Sequence, residues 1–148
     1  MISFVALMTF STPTLGNTMS KQVIEIALGR TTLNHGGHTY SREITDFIVD
    51  CKFGRNYNLT SARDYKSEWT KEGVTYADDC TFYTLETIGG YDATTPQRIA
   101  QLVESIRILC DQDAVAYRIN YAGKSTGYVA GTDGDGNRLD FDIKYFGV

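Results

Sequence analysis

At 148 residues the chain is expected to form a single domain, and 42 % apolar residues with 12 % aromatics supply material for a core. A formal charge of −4 and a pI of about 5.1, with no stretch that concentrates Lys and Arg, exclude a nucleic-acid binder. Three widely separated cysteines, Cys51, Cys80 and Cys110, exclude a disulfide framework and indicate a reducing cytoplasm with buried, inert thiols.

The first eighteen residues are apolar but lack the basic start of a signal peptide, and the run is too short to span a bilayer. Ile2 to Phe10 is therefore read as an extra strand, or an arm packed on a neighbour, within an N-terminal region 1–20. Met19-Ser20-Lys21 resembles a second start. Val23 to Leu28 alternates and is rich in β-branched residues, which predicts a strand. His35-Gly36-Gly37-His38 forms a turn. Thr39 or Ser41 then caps a helix whose apolar positions Ile44, Phe47, Ile48 and Cys51 fall at helical spacing, and Gly54 and Asn56 end it.

Arg55 to Trp69 follows, too polar and too aromatic for a plain connecting loop. Tyr57, Tyr65, Glu68 and Trp69 offer hydroxyls, a carboxylate and ring faces in one short run. Those groups suit a cationic small molecule that contains adenine. Glu68 to Tyr76 and Thr81 to Thr87 read as two strands separated by a turn at Asp78-Asp79, and Ile88-Gly89-Gly90 breaks the second.

Thr94 and Gln97 form a capping box with Pro96 in the first turn. Ile99, Leu102, Val103, Ile106, Leu109 and Cys110 mark one face of the helix that follows. A strand over Ala114 to Tyr121 comes next. Gly123 turns the chain toward Gly127 to Ala130, and the run from Asp133 to Asn137 turns it again. The final strand, Arg138 to Tyr145, puts Leu139, Phe141, Ile143 and Tyr145 on one side.

The order over residues 22–130 is β-α-β-β-α-β, with a C-terminal hairpin strand in 131–148. This is the split β-α-β, ferredoxin-like pattern of the α+β class, an antiparallel sheet with two helices on one face. The other face requires burial too, and sheet-to-sheet contact in an oligomer supplies it.

Most chemical signals resolve into ordinary structure. Asp133, Asp135 and Asn137 open like a calcium loop, but Arg138 stands where its glycine belongs and Lys144 where its glutamate belongs. His35 and His38 are separated by two glycines, which give no rigid face for a metal. With both histidines in that turn, a Ser-His-acid system lacks support, and no G-x-G-x-x-G follows a strand. No metal and no cofactor is expected. Glu104 lies beside the apolar stripe of the second helix, three residues before Arg107. That spacing suits a surface ion pair, or a carboxylate at the helix edge that reaches a ligand or a neighbouring subunit.

One combination goes further. Tyr57 just past the first helix, Glu68 eleven residues on and Glu104 in the second helix resemble the phage-encoded S-adenosylmethionine-degrading enzymes. These were first described as hydrolases and are better described as lyases. The stretch Asp111-Gln112-Asp113-Ala114-Val115-Ala116-Tyr117, followed by Lys124 to Val129, is similar to that family too. The resemblance spans roughly residues 22–130. It implies a trimer of PII (GlnB)-like α/β sandwiches with active sites at subunit interfaces, acting in the host cytoplasm and outside any membrane.

It also implies cleavage of S-adenosylmethionine into 5′-methylthioadenosine and L-homoserine lactone. Tyr57 and Glu68 are then the catalytic residues and Glu104 a substrate-binding one. The biological consequence implied is phage counter-defence by depletion of the methyl donor. Two other classes fit the sequence: a PII-like regulator that binds a nucleotide without chemistry, and a phage protein that binds and inhibits a host enzyme.

Overall fold

The computed structural model describes residues 21–32, 38–89 and 92–131. The expected N-terminal strand, His35, the turn from Asp133 to Asn137 and the strand Arg138 to Tyr145 lie outside them. In chain order the elements are β1 (Val23–Gly29), α1 (Arg42–Phe53), β2 (Tyr57–Lys71), β3 (Val74–Thr87), α2 (Pro96–Leu109), β4 (Ala114–Tyr121) and β5 (Lys124–Gly131), with a 3-10 turn over Gly54–Asn56. The strands form one sheet in the order β2-β3-β1-β4-β5, and every pairing is antiparallel. Among the described residues the fold is α+β, a five-stranded antiparallel sheet with two helices, and the α+β class and antiparallel sheet are as the alternation of elements predicts.

Strand periodicity sorts the sheet into two faces. Ile24, Ile26 and Leu28 of β1, Tyr83 and Leu85 of β3, and Val115, Tyr117 and Ile119 of β4 join Val49, Phe53, Ile99, Val103 and Ile106 of the helices in one core. On the opposite face a smaller cluster unites Phe82 and Ala116 with Ala27 and Tyr65. Each buried aliphatic or aromatic side chain contributes on the order of 1.5–3 kcal/mol relative to exposure, so the helix-covered face carries most of the hydrophobic stabilisation.

Three boundaries differ from the sequence-based expectation. First, the Arg55 to Trp69 run is almost entirely strand, and β2 and β3 are joined at Glu72 and Gly73, with φ of 53° and 77°. Two successive residues at positive φ make a tight hairpin turn, so the expected strand over Glu68 to Tyr76 contains a reversal. Asp78 and Asp79, expected as the turn, lie within β3, facing Ser67 and Lys66. Their carboxylates have structural partners: Thr31 N donates to Asp78 Oδ1 at 3.1 Å, and Asp79 pairs with Lys66 at 2.9 Å.

Second, α1 is rotated by about one residue, or about 100°, from its expected apolar face. Ser41 caps it, accepting from Ile44 N, but the buried positions are Thr45, Val49 and Phe53. Ile44 is 47 % and Phe47 70 % exposed, and Cys51 is exposed rather than buried. Thr45 tolerates burial because its hydroxyl bonds Arg42 O at 3.2 Å and Tyr83 Oη at 2.7 Å. Tyr83 Oη also donates to Asp46 at 2.6 Å, which fastens α1 to the middle of the sheet. Third, α2 is capped by Thr95, which accepts from Arg98 N, with Pro96 in the first turn. Thr94 bonds Gln22 instead, and Leu109 lies half-exposed at the helix end.

Candidate functional site

Tyr57 opens β2 directly after α1 and the short turn that ends it. Its ring meets Phe53 edge-on at 5.3 Å, and the residue is buried. Its hydroxyl donates to Gln22 Oε1. The same amide oxygen accepts from Thr94 N at 3.1 Å, while Gln22 Nε2 donates to Thr94 O at 2.9 Å. Tyr57 thus ties together the starts of β1, β2 and the approach to α2. Burial raises the phenol above its ordinary range, so it stays protonated and acts as a donor.

Glu68 stands on the same strand at the other end. It faces Ala77 across the ladder and is exposed. Eleven residues of strand separate it from Tyr57, roughly 36 Å at about 3.3 Å per residue. The pairing of β1 with β3 ends at Gly29 and Cys80, and the chain beyond touches Asp79 through Arg30 N and Asp78 through Thr31 N. From the Glu68–Ala77 pair outward, the described residues form a two-stranded ribbon. Tyr65, by contrast, turns to the helix-free face and meets Phe82 edge-on at 6.5 Å. The aromatic and acidic run of the sequence is therefore distributed along a strand and over two faces. Within one chain Tyr57 and Glu68 do not meet.

Glu104 lies on α2 beside an open cavity of about 360 Å³ between α2 and the β4–β5 edge, lined by Gln101, Glu104, Arg107, Tyr117, Val129 and Gly131 among others. Both carboxylate oxygens engage Arg107, Oε1 accepting from Nε at 2.7 Å and Oε2 from Nη2 at 2.6 Å. Beside the cavity Tyr117 stacks on Tyr128 with ring centroids 5.2 Å apart. A paired carboxylate, an amide and an aromatic wall can orient a polar organic molecule, and the volume is at the lower end of small-molecule sites.

The two buried thiols are poor nucleophiles. Burial pushes the thiols of Cys80 and Cys110 up to about 11, so both are protonated at neutral pH. Among the described residues no group of three His, Cys, Asp or Glu is arranged to hold a metal ion.

A further polar cluster escaped the sequence reading. Glu25 is fully buried in central β1, on the helix-free face and opposite Arg118. Asn120 Nδ2 donates to its Oε1 at 2.6 Å, while Oε2 and Asn120 Oδ1 have no hydrogen-bond partner among the described residues. Burial pushes the carboxyl from 4.5 up to about 7, with Asn120, Arg118 and Arg63 opposing the rise. A single Glu in a β-branched strand reads as a solvent-facing position, so nothing local distinguishes it. Gln22 and Tyr117 were equally inconspicuous, because their roles depend on partners 72 and 11 positions away in sequence.

Neither a family model nor a curated protein sequence matches the chain. Solved structures do. A phage SAM lyase in its apo state is 14 % identical over 76 % of this chain and 90 % of its own, with a TM-score of 0.58. A phage SAM lyase in complex with S-methyl-5′-thioadenosine is 11 % identical over 81 % of this chain and 98 % of its own, with a TM-score of 0.57. No helix of the described residues is long and apolar enough to cross a membrane. In architecture, the chain is similar to phage SAM lyase over most of both molecules.

Proposed function

We propose that this protein degrades S-adenosylmethionine to 5′-methylthioadenosine and L-homoserine lactone. The observation that carries the proposal is the similarity to phage SAM lyases across nearly their whole length, including one solved with S-methyl-5′-thioadenosine. A fold alone does not fix a reaction. The chemistry of the substrate supplies the rest. Its carboxylate oxygen attacks the γ-carbon, the carbon–sulfur bond breaks, and the sulfonium leaves with the electron pair as a neutral thioether. No protein nucleophile, resident cofactor or water enters the balance. The protein holds a folded conformer, and good orientation of an intramolecular reaction is worth about 7–11 kcal/mol.

In this proposal Tyr57 orients the methionyl end once its hydroxyl exchanges Gln22 for substrate. Glu68 holds the ammonium or faces the sulfonium, and Glu104 accepts hydrogen bonds from the ribose hydroxyls or other donors. Roughly 36 Å of strand between Tyr57 and Glu68 requires that the two come from different copies. The ribbon that carries Glu68 is the element that reaches a neighbour. A homotrimer with three equivalent interface sites, of PII-like sandwiches packed through their helix-free faces, satisfies that requirement. Depletion of the methyl donor in the host cytoplasm is the proposed benefit to a phage, since it starves restriction-modification.

Incubation of the purified protein with S-adenosylmethionine, followed by chromatography, tests this. Methylthioadenosine and homoserine lactone are expected, and the fresh lactone carries no label in heavy-oxygen water. Solvent oxygen in initially formed homoserine means hydrolysis instead. Binding without methylthioadenosine release means a regulator, and capture of a host enzyme with indifference to Glu68→Gln means an inhibitor. Tyr57→Phe is expected to lose turnover while the protein remains folded and trimeric.

A further inference from the structure

We infer that Arg107 is a positioning residue that fixes the Glu104 carboxylate at the lip of the α2/β5 cavity, an inference that rests on the lyase reading above. An ordinary i,i+3 ion pair on a helix is a loose, solvent-screened contact. This one is held from three directions. Arg107 Nε and Nη2 grip both oxygens of Glu104 at 2.7 and 2.6 Å, a fork-on-fork geometry that fixes the plane of the carboxylate as well as its position. The third arm, Nη1, donates to Gln112 O at 2.9 Å.

Gln112 is itself fixed. It is buried, and its side-chain amide donates to Thr31 O and Cys110 O, each at 3.1 Å. Its own N–H returns to Arg107 O at 3.1 Å. The guanidinium is thereby braced against the rigid connection from α2 into β4. The end of β5 is shaped around its stem. Gly131 sits at φ +100°, and a Cβ there would stand 2.6 Å from Arg107 Cδ and 2.2 Å from Asp113 O. A side chain at position 131 would displace the arginine. A lysine at 107 cannot replace the brace, because an ammonium is a point charge without a planar fork.

The test is a double-mutant cycle read as kcat and KM for S-adenosylmethionine, together with calorimetric titration of 5′-methylthioadenosine. The proteins are wild type, Arg107→Gln, Arg107→Lys, Glu104→Gln and the double variant Glu104→Gln/Arg107→Gln. Arg107→Gln is expected to raise KM about tenfold or more, the weight of a charge-assisted contact, with a smaller change in kcat. Arg107→Lys recovers less than half of that loss. In the Glu104→Gln background the Arg107 substitution costs less than about twofold, because residues acting as one unit are not additive.

Unchanged KM in both Arg107 variants, or full additivity in the cycle, overturns the inference while leaving the lyase reading standing. Absence of turnover in wild type, with methylthioadenosine binding that shows the same non-additive pattern, sinks the lyase reading and keeps the Arg107 assignment. Absence of both turnover and binding in wild type removes both.

Discussion

At its first residue β2 is held by the core: Tyr57 is buried, packs on Phe53 and donates to Gln22. Eleven residues later the same strand carries Glu68 on an exposed two-stranded ribbon. The difference decides what a substitution reports. At the Tyr57 end a functional role and a packing role share one side chain, so activity and stability fall together. At the Glu68 end the side chain is exposed, so a loss of activity without a loss of stability reports on function.

The largest effect expected is at the buried end. Tyr57→Ala removes an aromatic ring from a packed site and should lower unfolding free energy by about 3–5 kcal/mol in denaturant titrations. A loss below about 1 kcal/mol would show that the Tyr57 end is no better packed than the ribbon and remove the contrast. Next comes Glu25, buried like Tyr57 but ionisable near neutral pH. Its carboxyl is pushed from 4.5 up to about 7 by burial. The folded state therefore holds the proton more tightly than the unfolded chain. Its contribution is complete below pH 4.5 and is lost as pH rises through 7, by at most about 3 kcal/mol. Melting temperatures from pH 4 to 8 should fall along this window in wild type and lose most of that slope in Glu25→Gln. An identical slope in both would mean that another group titrates there.

Glu68→Gln sharpens the comparison from the other side. Turnover should fall about 100-fold, equivalent to about 2.7 kcal/mol of barrier, while unfolding free energy changes by less than about 0.5 kcal/mol. Equal loss of stability and activity would place Glu68 among the packing residues with Tyr57.

The same contrast explains what was legible in the sequence. β1 and β4 are legible nearly to the residue because each is a run of β-branched and apolar residues in the sheet interior, buried along almost its whole length. The second helix was legible for a similar reason, since Pro96 and a continuous apolar stripe leave little freedom, although the cap is Thr95 rather than Thr94. α1 was misoriented because Thr45 is inward. Its burial depends on Tyr83, 38 positions away, and no local pattern announces a satisfied hydroxyl. Tyr57, Glu68 and Glu104 stand out by chemical type, yet the separation of Tyr57 and Glu68 along β2 depends on where one hairpin turns. Asp78-Asp79 carried the stronger turn composition, but Thr31 N and Lys66 claim those carboxylates.

That turn gives the smallest and cleanest prediction. Gly73 has φ +77°, and a Cβ added there meets nothing within 4 Å, so Gly73→Ala changes backbone energy without creating a clash. A non-glycine residue in the left-handed region costs roughly 1–2 kcal/mol. Glu72, at φ 53°, already bears part of that cost, and Glu72→Asn should reduce it because asparagine tolerates this conformation better. The two substitutions are therefore expected to move stability in opposite directions, by about 1 kcal/mol down and a few tenths up. Hydrogen exchange should localise both changes to the ribbon amides, from Glu68–Ala77 outward, and leave the β1–β4 core amides unchanged. Protection lost throughout the sheet in Gly73→Ala would mean that the ribbon and the body unfold as one unit, and the separation between the Glu68 and Tyr57 ends would then be one of position only.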